Sequence, residues 1–280
     1  MELRQPKIDN LKKENATMDT DYDRIAEQYK NQKLLNVYDS QGDEYSRAFG
    51  VFLAHTDQKA KAAAWLEQEV NGLGNRGVFI DAGAGNGQLT GWLAPRFRKT
   101  IAIEPNPSFR EGLQKSCPGV ELLPVPIAQA WPNLQADFVL CSHVFYHIDQ
   151  AHWAENLHHL ASWLRARGVL AVALQNCETD CMRMLHHFTG EEFDLGALAR
   201  AFANDAQGQF DVRTETVKAH IQTDSFETAY IIAEFFLNAL PLSHPPLRAD
   251  LERYIRTHFH RNGNYRFSCH QDFLRIRRRA

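Results

Sequence analysis

Residues 78–90, VFIDAGAGNGQLT, limit what this chain can fold into more than any other stretch. An apolar run, Val78, Phe79 and Ile80, ends on the acid Asp81 and passes into Gly83, Gly85 and Gly87. Leu89, Trp92 and Leu93 then recur at helical spacing. Strand, glycine turn and helix in that order is how an open α/β sheet builds a ligand crevice beyond the carboxyl ends of its strands. Glycines at such a turn admit close backbone approach to a ligand and φ values that a Cβ disfavours.

The dinucleotide fingerprint G-x-G-x-x-G does not fit, because the sixth residue from Gly83 is Gln88 and the third glycine comes one position early. The pattern D-x-G-x-G-x-G instead resembles the first motif of class I S-adenosylmethionine-dependent methyltransferases. A second acid, Glu104 in IAIEPNP, closes the next apolar run. A carboxylate there can accept hydrogen bonds from both hydroxyls of a ribose. The competing reading is a glycine-rich turn in some unrelated α/β protein.

Composition narrows the classes. At 280 residues the chain has room for one large domain or a core with an appended cap. Its 44% hydrophobic and 23% charged residues are ordinary for a globular protein. A formal net charge of −3 provides no general basic surface, which disfavours nucleic acid as a partner. No apolar run approaches the roughly 18 residues that span a bilayer, and MELRQPKIDNLKKEN has no apolar signal core. Five cysteines without framework spacing suit a reducing compartment, so a cytoplasmic location without membrane contact is the expectation.

In chain order, residues 1–20 read as a flexible tail and 21–280 as the main domain. DYDRIAEQY begins a helical N-terminal segment, and residues 45–70 continue helically. After the glycine turn come a helix to about Phe97, a strand at KTIAIEP, a short helix, a strand at 120–125 and the segment IAQAW. ADFVLCSHVFYHI reads as a buried parallel strand running into a polar and aromatic loop. An amphipathic helix, the strand VLAVAL, another helix and an extended segment at 210–221 follow. Residues 224–262 are predicted to form a helical lid inserted before the last strand, which is read over 263–276. The expected fold is α/β, a Rossmann-like doubly wound sheet of seven strands. Cys177, Cys181, His186 and His187 invite a zinc reading, but their spacing matches no standard zinc pair, and no metal is expected.

With that order in view the chain resembles the histamine N-methyltransferase group. YSRAFGVFLAHTDQ, EPNP, ADFVLCSHVFYHI, FLNALP and PPLRADL carry the likeness over roughly residues 43–276. The resemblance implies S-adenosylmethionine as cofactor and S-adenosylhomocysteine as product. It carries the cofactor site onto Gly83, Gly85, Glu104 and Gln129, and Asp81, Gly87, Ala128 and Ser142 of the same segments complete the cofactor candidates. It puts the acceptor near Tyr45, Arg47, His143, Tyr146 and His147, with the last three as the catalytic candidates. Arg47 stands where the family holds an ammonium with a carboxylate, so histamine itself is not implied as the substrate.

The implied reaction is in-line displacement at the sulfonium methyl, with a nitrogen or oxygen of a small molecule as acceptor. The protein would contribute positioning, desolvation and, for a phenol or enol, removal of a proton. An ordinary histidine, with pKa near 6.5, can take that proton near neutrality. Two other readings compete: methylation of tRNA or protein, and a non-catalytic domain that only binds the cofactor. The oligomeric state is not legible.

Overall fold

The computed structural model describes residues 33–39, 42–240, 242 and 244–280. The tail at 1–20 and the helix expected from Asp21 lie outside the described residues.

Five strands of the core are short apolar runs: β1 Val78–Ala82, β2 Lys99–Ile103, β3 Glu121–Leu123, β4 Ala136–Ser142 and β5 Leu164–Gln175. Two more, β6 Phe210–Val217 and a C-terminal strand over Gln271–Arg278, complete one sheet of seven. The first five pair in parallel and the C-terminal strand is antiparallel to both β5 and β6. From one edge the order is β3, β2, β1, β4, β5, the C-terminal strand, β6. Order reverses between β1 and β4, and a ligand crevice opens at such a switch point beyond the carboxyl ends.

Strands covered on both faces are apolar, and β1, β4 and the second half of β5 are buried over nearly their whole length. Phe79, Phe138, Leu140, Ala171 and Phe273 pack on one face with Trp65, Leu66 and Val70. Ile80, Val139, Cys141, Leu170 and Val172 pack on the other with Trp153, Leu157 and Leu160. The covering helices are α1 Asp43–His55, α2 Gln58–Asn71, α3 Gln88–Leu93, α4 Pro107–Ser116, α5 Trp153–Ser162, α6 Asp180–Thr189 and α7 Leu195–Asp205.

Three details differ from the sequence expectation. The helical stretch at 45–70 is two helices, because Thr56 leaves the helix to bridge Ile221 and Asp57 accepts from the His220 amide at 2.9 Å. The extended segment at 210–221 is likewise two strands, β6 and then β7 His220–Thr223. The final stretch also divides. After the two-residue β8 His260–Arg261, β9 Asn264–Ser268 pairs with β7 and β8 in a separate three-stranded sheet, and β10 Gln271–Arg278 joins the main one. The corner between β9 and β10 is tied down where the Cys269 amide donates to Ala219 O at 3.0 Å. An alternating pattern alone cannot reveal that one run serves two sheets.

The stretch expected as a lid holds α8 Phe226–Leu237 and α9 Arg248–His258. From Ala229 to Leu237 every residue of α8 except Ile231 is buried, which makes this helix a wall of the core. Its Phe235 and Phe236 rings lie 5.7 and 5.3 Å from Phe52 of α1. Glu234, also buried, accepts hydrogen bonds from Tyr38 Oη, Tyr230 Oη and the Asn36 amide, so residues 36–38 are strapped onto α8. No described helix is long and apolar enough to cross a membrane.

Candidate functional site

At the carboxyl end of β1, Ala82 stands beside Ile103 of β2, which brings Gly83 and Glu104 to one rim. The Gly83 and Ala84 amides both donate to Ile103 O, folding the chain sharply away from the strand. Gly83 has φ +85°, and a Cβ there would lie 2.3 Å from Val144 Cγ2, so glycine is required for the turn to pack on the loop after β4. Gly85 differs. Its φ is +55°, and a Cβ would meet nothing within 4 Å, so this part of the turn faces open space. The Gly85 and Asn106 amides each donate 2.8 Å hydrogen bonds to the two oxygens of Glu104, which is 6% exposed. A glycine turn with one open side, beside a carboxylate fixed at its rim, fits a nucleoside cofactor.

The other cofactor candidates sit around this rim in different ways. Asp81 is buried beneath the turn, where Thr90 Oγ1 donates to it at 2.6 Å. Burial pushes its carboxyl up to about 6; the charge of Glu104 adds to this and the Thr90 hydrogen bond opposes it. Gly87, at φ +86°, precedes α3 and packs against Leu113 and Cys117 of the α4 region. Ala128 and Gln129 are exposed on the 3-10 turn Ile127–Gln129 that follows β3, and Ser142 is half-buried at the end of β4.

The acceptor candidates occupy the neighbouring rim. His143 follows β4 with φ +59°, a region costly for a residue with a Cβ, and its amide donates to Ala173 O at 2.8 Å. That backbone turn aims its ring toward β10, where Nε2 lies 2.5 Å from Gln271 Nε2. Burial, with the nearby Lys59 charge added, lowers the His143 pKa to about 3. It is therefore neutral near pH 7 and a weak base, contrary to the ordinary histidine expected from sequence. The Tyr146 ring lies 5.9 Å from that of His143, and its oxygen accepts from the Gln175 amide at 2.5 Å. Burial raises the Tyr146 pKa, and Asp272 adds to the rise, so it remains a neutral phenol. His147 ends the 3-10 turn Phe145–His147, and burial lowers its pKa against the attraction of Glu104. Tyr146 and His147 border a cavity of about 810 Å³ that also touches Phe188, Phe193, Leu240 and Leu242.

On α1, Tyr45 packs against Phe235 with ring centroids 5.2 Å apart. Arg47, two residues on and so about 200° around the helix, is exposed. Two residues absent from the sequence reading join this rim. Gln58, 1% exposed, donates from Nε2 to the Gln175 side-chain oxygen and to Cys269 O. Gln271 reaches across from β10. Neither carries a local sequence signal, since each depends on a strand or helix end brought close by the fold. Among the described residues no group of three or more His, Cys, Asp or Glu is placed to share a metal ion. Cys181 of the suspected zinc cluster is packed into the core of α6.

Comparison with known proteins identifies the family and the fold. A family model described as a methyltransferase domain matches residues 53–220. An uncharacterized methyltransferase of Alkaliphilus oremlandii (strain OhILAs) is 23% identical over 158 residues, covering 55% of this chain and 67% of the relative. The fold is similar to that of the YcgJ protein of Bacillus subtilis, with TM-score 0.55 and 14% identity over 77% of this chain and 98% of that one. A functionally unknown protein of Deinococcus radiodurans R1 gives TM-score 0.51 and 11% identity over 92% and 99% of the two chains. The matched span runs from the end of α1 to the start of β7 and takes in the whole glycine-turn rim, and the chain belongs to the methyltransferase-domain family.

Proposed function

We propose that this protein transfers a methyl group from S-adenosylmethionine to a nitrogen of a small-molecule acceptor. The cofactor is S-adenosylmethionine, whose sulfonium supplies an electrophilic methyl and leaves as S-adenosylhomocysteine. Glu104 would accept from its ribose hydroxyls and Gly85 would let it lie close to the turn, with Ala128 and Gln129 toward its base and Ser142 toward the reacting end.

The observation that carries the small-acceptor reading is the cavity of about 810 Å³ beside Tyr146 and His147. Sites for small ligands commonly span ~300–1,000 Å³. Its walls include fixed elements, since Tyr146 is held by the Gln175 amide and Phe193 is buried. Nitrogen is favoured over oxygen by the state of the side chains at the rim. A neutral amine or imidazole already offers a lone pair and needs only alignment. A phenol needs a base; neutral His143, with its pKa near 3, and protonated Tyr146 are poor ones, which leaves His147, whose pKa burial lowers, as the one of the three candidates able to take that proton. The role of His143 and Tyr146 in this reading is to orient the acceptor by hydrogen bonds and to exclude water.

The motif likeness to the histamine N-methyltransferase group supports N-methylation, without implying histamine. Incubating the protein with cell extract and cofactor labelled at the methyl tests the reading. Label is expected in the small-molecule fraction. Label recovered in protein or RNA would replace it, and cofactor binding without any transfer would leave a binding domain.

A further inference from the structure

We infer that Gln271 is a positioning residue of the transfer site: it donates to Nε2 of His143 and holds that imidazole as the Nδ1–H tautomer, a hydrogen-bond donor to the methyl acceptor in place of a base. This rests on the methyl-transfer reading above and deepens it.

Gln271 opens β10, where it pairs with Gln175 of β5 on one side and Val217 of β6 on the other. Its backbone is therefore fixed from both sides, and the residue is 2% exposed. Its Nε2 lies 2.5 Å from His143 Nε2. An amide nitrogen can only donate, so the ring nitrogen it meets must be the bare, accepting one. A neutral imidazole carries one proton, which then sits on Nδ1. Nδ1 has no hydrogen-bond partner among the described residues. The neighbours of His143 in the chain tie it to both halves of the crevice. Val144 packs over Gly83, and the Tyr146 ring, 5.9 Å from that of His143, borders the cavity.

Two local costs meet at this contact. His143 holds φ +59°, which is unfavourable for a residue with a Cβ, and this aims its ring at β10. Gln271 Oε1 is buried without a partner, a loss that an apolar side chain of the same length would avoid. The bond to His143 is what the amide offers in return. Among the groups around the ring, Lys59 of α2 is the charge that acts on it and opposes an imidazolium, in keeping with a neutral ring. Tyr146, on the same loop, is a neutral phenol, and Asp272, next to Gln271, is taken up by Asn176 and Thr216. His143 thus offers an N–H where a general base would offer a lone pair.

The test reads the tautomer directly, in the full chain with S-adenosylhomocysteine bound and its histidines labelled with nitrogen-15. Long-range proton–nitrogen spectra, assigned by the signals missing in His143→Gln, should show wild-type His143 protonated at Nδ1 and bare at Nε2. It should not titrate between about pH 5 and 8. In Gln271→Met, which keeps the length and loses the donor, molecules protonated at Nε2 should appear. In Gln271→Glu the carboxylate should bring the His143 pKa up to between about 5 and 8. Below that pKa the imidazolium still donates from Nδ1; above it the one remaining proton sits on Nε2, facing Glu, and Nδ1 is bare. Methyl transfer from labelled cofactor into cell extract by this variant, divided by the wild-type rate at each pH, should therefore fall about fivefold or more as the pH rises through that pKa. A base at His143 predicts a ratio that rises. Affinity for S-adenosylhomocysteine should be the same in the wild type and both Gln271 variants.

Wild-type His143 protonated at Nε2, an unchanged tautomer in Gln271→Met, or a ratio that rises or stays level overturns the proposal. Label confined to protein or RNA, with tautomer and ratio as stated, keeps the role of Gln271 and overturns the small-acceptor reading. No transfer by any form overturns both.

Discussion

The two rims of the crevice are assembled differently. The cofactor rim comes from near neighbours in sequence: Gly83 and Gly85 on one turn, and Glu104 at the end of the next strand, joined by two short hydrogen bonds. The rim of the acceptor candidates draws Gln58 from α2, His143 and Tyr146 from the loop after β4, Gln175 from β5 and Gln271 from β10. A local motif can specify the first, because strand, turn and helix are consecutive. The second exists only once the β9–β10 corner and α2 have docked on the sheet. Chemistry shared across a family can be written in the first rim, while under the proposed function acceptor choice falls to side chains of the second.

Breaking the cofactor rim should have the largest effect. In Gly85→Val, a branched side chain at φ +55° enters the open side of the turn. Affinity for S-adenosylhomocysteine should fall by about a hundredfold or more, close to 3 kcal/mol. Unchanged calorimetric affinity would mean that the open side of the turn is not where the ligand lies.

A smaller effect belongs to the acid under the turn. Asp81 has a folded pKa of about 6 against about 3.9 in an unfolded chain, so the folded state holds the proton more tightly. Raising the pH through about 4 to 6 therefore favours unfolding, with a cost on the order of 2–3 kcal/mol by pH 7 that is absent below about pH 4. Asp81→Asn should remove this part of the slope in thermal melts between those pH values. A slope identical to wild type would show that another group carries it.

The smallest effect is expected at Arg47. Because it is exposed on α1, Arg47→Glu should change KM for the acceptor by less than about twofold, within the range usual for surface charges. A rise of orders of magnitude would bring the outer face of α1 into the site.

The same contrast explains what was legible beforehand. Apolar runs ending in Asp81 and Glu104 reveal the parallel sheet and its switch point, because such strands are buried on both faces. The split of residues 263–276 into β9 and β10 is hidden, since alternation continues through Cys269 while the hydrogen bonds change sheets. His143 was visible as a residue but its chemistry was not. Its low pKa comes from burial and from Lys59, which is 84 positions away in the chain. The four aromatic or aliphatic positions Phe235, Phe236, Phe52 and Tyr45 read as apolar helix faces; that they face one another depends on docking α8 against α1.

The central claim, that the glycine-turn rim binds S-adenosylmethionine through Glu104, is tested most directly by calorimetric titration of that compound and of NAD into the wild type and Glu104→Ala. The account predicts saturable one-to-one binding of S-adenosylmethionine to the wild type, weaker by about 1.5–3 kcal/mol in Glu104→Ala through loss of a charge-assisted ribose contact, and no comparable binding of NAD. Equal affinity of the two proteins for S-adenosylmethionine, or tighter binding of NAD by the wild type, would contradict it.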